Sequence, residues 1–162
     1  MKFLVSVVFL ATEKSECFNV FEVAKKMEAE GRLVDAVTFF DEAGECFLRN
    51  RELLFAFKSF FCCANIYEKI GDLKEVLRCA KKAILLGDEL FAHKKMEFFE
   101  FGEALFVMAS TLGKMNRKKD ALKVLEYAIN LDKIEEKEGG KKSPWIDKAK
   151  VLLDNLKKEK VE

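Results

Sequence analysis

The sequence predicts an all-α protein: three antiparallel helical hairpins stacked side by side and closed by a C-terminal capping helix. Two observations carry that expectation. Gly31, Gly71 and Asn116 each follow an apolar helical pattern, and glycine or asparagine suits the left-handed residue that ends a helix. Around each of the three, apolar residues recur at the same offsets, with alanine in matching places. The expected division is one domain over residues 1–162, with an apolar segment over 1–15, hairpins over 16–49, 51–90 and 96–138, and the capping helix over 143–159.

The opening stretch, MKFLVSVVFLA, is apolar from Phe3 to Ala11 except for Ser6. It is too short to span a bilayer, which takes about 20 apolar residues. It is also a poor secretory signal, because Phe9 stands where a small residue should precede cleavage after Ala11. A helix packed on the body is expected, with a strand as the alternative because Val5, Val7 and Val8 are β-branched.

The hairpins follow. Eleven, eight, seven and four residues before the three anchors stand Val20, Val23, Ala24 and Met27, then Phe60, Cys63, Ala64 and Tyr67, then Leu105, Met108, Ala109 and Leu112. Five, nine and twelve residues after them stand Ala36, Phe40 and Ala43, then Val76, Ala80 and Ala83, then Ala121, Leu125 and Ala128. Each set lies on one helical face. Small residues at fixed offsets on both helices let two backbones approach closely, while larger neighbours interdigitate across the seam. After the linker-like KIEEKEGGKK of residues 133–142, Ser143 offers an N-cap and Pro144 a first helical position. Trp145, Ala149, Leu152, Leu153 and Leu156 then form an apolar stripe suited to covering the last hairpin.

This anchored pattern, over roughly residues 17–133, resembles the tetratricopeptide repeat in a long-helix variant. The resemblance implies a short right-handed α-α superhelix that binds protein partners without catalysis. The anchors are spaced 40 and then 45 residues apart rather than the usual ~34, so longer helices or joints must absorb the difference. The aromatic that often opens the pattern is replaced by Val20, Phe60 and Leu105, and the usual proline after the second helix by Leu48, Asp88 and Lys133. Family members that capture acidic chaperone tails use Lys, Asn and Arg at groove offsets. Phe21, Cys62, Glu103 and Val107 stand at such places here, so the resemblance does not imply that activity.

Composition excludes several function classes. Lys plus Arg at 29 against Asp plus Glu at 28 leaves a net charge of +1, which offers no field for steering toward nucleic acid or anionic lipid. Charged residues make up 35% of the chain against about 25% in an average domain, and glutamine is absent; both lean toward a thermophile's preference for ion pairs. Five cysteines without a CxxC motif read as reduced, mostly buried thiols of a cytoplasmic protein, with an intracellular disulfide as the alternative in a hyperthermophile. The one histidine, His93, sits among lysines, so a Cys-His or Ser-His pair is not supported. Glu97, Glu100 and Glu103 share a helix edge that faces water more readily than it holds a cation. No catalytic residue, cofactor or metal site is expected.

One pattern rises above this background. Phe21, Phe61 and Phe106 stand ten residues before the three anchors, rotated off the main core stripe. With Phe18, Lys25, Lys58, Asn65 and Ser110 they outline a groove with an aromatic floor and polar rims, suited to an amphipathic helix or extended peptide. The expected function is a protein-protein interaction scaffold. The alternatives are a homo-oligomer, in the simplest case a homodimer, that buries the Phe-rich faces, and a small metal-binding helical protein. The same Phe row also suits burial as ordinary core, or occupation by the chain's own N-terminal segment.

Overall fold

The computed structural model describes residues 2–159, with side chains from Lys14 onward. Seven helices and no strand occupy the described residues: α1 (Lys2–Ala29), α2 (Leu33–Arg49), α3 (Leu53–Ile70), α4 (Leu73–Ala92), α5 (Phe98–Lys114), α6 (Lys118–Lys137) and α7 (Ile146–Lys158). Each helix packs on the next, and α7 returns to touch α5 as well as α6. α1 runs without a break through residues 15 and 16, so the opening stretch is helix rather than strand. Whether its apolar side chains lie against the aromatic row falls outside the described side chains.

All six joints between helices close in the same way. Gly31, Arg51, Gly71, Lys94, Asn116 and Gly139 take positive φ, between 56° and 93°. At each joint the next N–H reaches back to the carbonyl five residues earlier: Arg32 to Met27, Glu52 to Phe47, Asp72 to Tyr67, Lys95 to Leu90, Arg117 to Leu112 and Gly140 to Glu135. This satisfies carbonyls that a helix end leaves without partners and turns the chain sharply. The longer second spacing is absorbed in two places. α4 has 20 residues where α2 has 17, and the joint 93–97 is longer than the joint 50–52.

The alanines do what their spacing predicts. All nine at the matched offsets are fully buried, between paired helices that a larger side chain would push apart. Glycine does the same job at tighter places, since a Cβ on Gly44 would meet the Phe60 ring at 2.7 Å and one on Gly87 would meet Phe101 at 2.7 Å. The two inter-hairpin seams fill equivalent positions with sizes exchanged. Phe47 and Ala56 serve the first, and Gly87 and Phe101 the second. Replacing Ala64 by leucine should therefore lower stability by about 1–3 kcal/mol through overpacking, measurable by urea denaturation. An unchanged midpoint would mean the seam is loose.

The first and last helices differ from those between them. Ala56, Ser59, Cys63 and Ile66 of α3 are buried under the preceding hairpin; at the same offsets α1 carries Glu16, Asn19, Val23 and Lys26, all exposed. At the other end α7 presses Trp145, Ile146, Ala149 and Leu156 onto the last hairpin. Its start differs from expectation. Ser143 is not the N-cap, and α7 begins at Ile146, because the Ser143 hydroxyl and backbone N–H both donate to Asp132 Oδ1, at 2.5 and 3.3 Å. Asp132 is almost fully buried, and a buried carboxylate left without donors costs more than a missing cap.

The cysteines are also redistributed. Cys17 of α1 and Cys46 of α2 form a disulfide with a Cα–Cα distance of 5.5 Å. This corrects the reading of five reduced thiols and removes the redox argument for a cytoplasmic setting. Cys62, Cys63 and Cys79 remain free.

Candidate peptide-binding face

The aromatic row is half sunk into the core. Phe18, Phe21, Phe61 and Phe106 are each partly buried and packed against the main cluster of buried side chains. The Phe18 ring stands edge-on between Phe47 and Phe55, at centroid distances of 4.9 and 4.7 Å. Phe21 meets Phe40 at 5.4 Å and Phe47 at 6.1 Å. Phe61 stacks on Phe57 at 5.9 Å, with planes 8° apart. Phe106 is drawn toward the cap, where it stacks on Trp145 at 6.3 Å. The floor of the proposed groove is thus also the roof of the core. Edge-to-face and offset contacts of this kind fix ring orientation.

The polar positions lie beside these rings. Lys25 Nζ sits 5.8 Å from the Phe21 centroid and 3.7 Å from Glu22. Lys58 Nζ sits 5.4 Å from the Phe55 ring, so Phe55, which sequence spacing did not single out, joins Lys58 to Phe18. Asn65 and Ser110 are partly buried one helical step further along α3 and α5. The faces of α1 and α3 adjoin here. Burial pushes the Cys62 thiol up to about 11, with Glu28 of α1 adding to the rise and Lys25 opposing it. The structure therefore brings Phe18, Phe21, Lys25 and Lys58 into one chain of contacts, while Phe106 pairs with α7.

One cleft was not expected from sequence. A cleft of about 700 Å³ opens between the α4–α5 and α6–α7 joints, with Phe91, Met96 and Phe98 inside and Phe99, Lys94 and Glu138 at its edge. None of the eight groove residues lines it. Its two sides lie some forty residues apart in the chain, so only stacking reveals it. Trp145, next to the lining residue Pro144, donates from Nε1 to the Phe99 carbonyl at 3.0 Å.

The other candidates are ordinary surface. His93 is exposed and its ring nitrogen lies 2.9 Å from the Glu89 carbonyl at the end of α4. Burial and then Glu100 hold the Glu103 carboxyl above its usual range. No helix among the described residues is long and apolar enough to cross a membrane.

The architecture has solved counterparts. A Podosopora anserina protein described as a candidate kinesin light chain with nearly identical TPR-like repeats superposes with a TM-score of 0.61 at 14% identity, over 88% of this chain and 66% of that one. A single-substitution variant of that protein gives 0.63 at the same identity and coverage. The fold is a tetratricopeptide-like helical repeat. This chain spans slightly less than two thirds of the length of those solved chains. No family model and no curated protein matches the sequence. At this identity the likeness establishes the repeat fold alone, and the residues of the face carry any argument about binding.

Proposed function

We propose that this chain is a non-catalytic interaction module that seats a peptide or helix of another protein against the face of α1, α3 and α5. In a short right-handed superhelix of such hairpins, that face is the inner curve. One observation carries the reading: Phe18, Phe21 and Phe61 lodge one side in the core and leave part of the ring accessible. Rings held this way are aromatic anchors whose ordering cost is already met by folding, so contact with a partner yields more net affinity. Lys25, ion-paired with Glu22, and Lys58 stand beside the rings and supply charged contacts at the rim.

Phe61 packs against both buried clusters, so substituting it would disturb stability and binding together. Asn65 and Ser110 discriminate better. The double variant Asn65→Arg, Ser110→Arg places long charged side chains over the face while removing no ring. Peptides selected from a random library against the full chain should bind this variant at least about tenfold more weakly, a difference of about 1.4 kcal/mol, with the melting temperature nearly unchanged. Equal affinity would remove the face from consideration. Loss of binding only in Phe99→Glu would move the site to the cleft. A dimer seen by light scattering, and abolished by the double variant, would instead make the partner a second copy.

A further inference from the structure

Hairpin α3–α4 holds a second pair of cysteines. Cys63 and Cys79 stand eight residues before and eight after Gly71, so antiparallel pairing brings them level across the hairpin. Cys17 and Cys46, fourteen before and fifteen after Gly31, are level in the first hairpin and are bonded there. Both second-hairpin sulfurs are sealed from solvent. The Cys63 thiol donates to the Val37 carbonyl oxygen at 3.6 Å, and Cys63 and Cys79 belong to one cluster of buried side chains.

We propose that Cys63 and Cys79 are a latent redox pair that peroxide converts into a second cross-link, tying α3 to α4. The oxidant must be small, because the pair lies among Ala64, Ile66, Val76 and Ala80, where a peptide-sized disulfide has no room. Cys79 is the attacking sulfur. Interaction with the Cys63 thiol holds it below the usual thiol range against the effect of burial, with Arg78 helping, and the same interaction together with burial pushes Cys63 up. A thiolate is the nucleophile in such oxidations.

The step balances with hydrogen peroxide alone. Cys79 Sγ attacks one peroxide oxygen, the O–O bond breaks, and one water leaves as Cys79 becomes a sulfenic acid. Cys63 Sγ then attacks Cys79 Sγ, the S–O bond breaks, and the Cys63 proton leaves with the hydroxyl as a second water. Each sulfur gives up one electron and both peroxide oxygens are reduced. Cys62 is only partly buried and faces Glu28 and Lys25 of α1, away from this pair, so it stays out of the reaction.

Thiol counting on the full chain tests this. Alkylation in denaturant should label three cysteines before peroxide treatment. After treatment only Cys62 should be labelled, the intact mass should fall by two hydrogens, and digestion should release a reducible peptide joining Cys63 to Cys79. The oxidised protein should melt roughly 6–12 °C higher. In the Cys63→Ser variant a 1,3-diketone probe should trap the Cys79 sulfenic acid, and no cross-link should form. Should that variant fail to fold, the wild-type peptide map alone decides. Three thiols still labelled after treatment would overturn the proposal, as would Cys62 in the cross-link or separate over-oxidation of the cysteines.

Discussion

Replacing Phe47 by alanine should cost roughly 3–5 kcal/mol, a large part of the ~5–15 kcal/mol that usually holds a domain together. Phe47 is fully buried on α2 and touches three rings from two other helices: Phe18 and Phe21 of α1, and Phe55 of α3, the last at 5.4 Å. Its removal would leave a ring-sized void where α2 meets both neighbours, and the helix backbones cannot collapse far enough to close it. The same change should loosen Phe18 and Phe21, so peptide affinity should fall along with stability. Chemical denaturation with an unchanged slope gives the first quantity, and titration well below the unfolding midpoint gives the second. A cost under about 1 kcal/mol would mean the rings repack and that Phe47 is no hub.

Reducing the Cys17–Cys46 bond should have a comparable effect. It closes a loop of 29 residues, and a cross-link of that span is worth roughly 3–4 kcal/mol through the entropy it removes from the unfolded chain. Melting with reductant present should occur roughly 6–16 °C lower. The double variant Cys17→Ser, Cys46→Ser should show the same loss without reductant. The bond ties α1 to the far end of α2, close to the Lys14–Glu52 ion pair, so hydrogen exchange should rise first in the N-terminal half of α1. A melting temperature indifferent to reductant would show that packing alone holds this hairpin.

Much of the architecture is legible along the chain because close helix pairing leaves a local trace. Ala24, Ala64 and Ala109, and their counterparts on the second helices, recur in step because larger side chains at those offsets would part the backbones. Gly31, Gly71 and Asn116 mark the hairpin tips because left-handed backbone favours those residue types. Arg51 and Lys94 adopt the same backbone without any such mark, since packing and the back-reaching hydrogen bond hold them there. The start of the capping helix departs from its local signal for a related reason. Ser143 and Pro144 carry a strong helix-start pattern, but Asp132, eleven residues away, has the stronger claim on the serine once both are buried.

By itself the sequence determined the helical class, the three-hairpin count, the buried alanine seams and the aromatic row on the first helix of each hairpin, because each follows from periodicity and side-chain size within a single helix. Only the tertiary structure decided which cysteines meet, that Phe106 stacks on Trp145, and that Phe55 joins Lys58 to Phe18. It also decided where a cleft opens. Those outcomes depend on how far one hairpin is shifted and turned against the next, and that geometry is set by the summed volumes of residues far apart in the chain, such as Gly87 against Phe101.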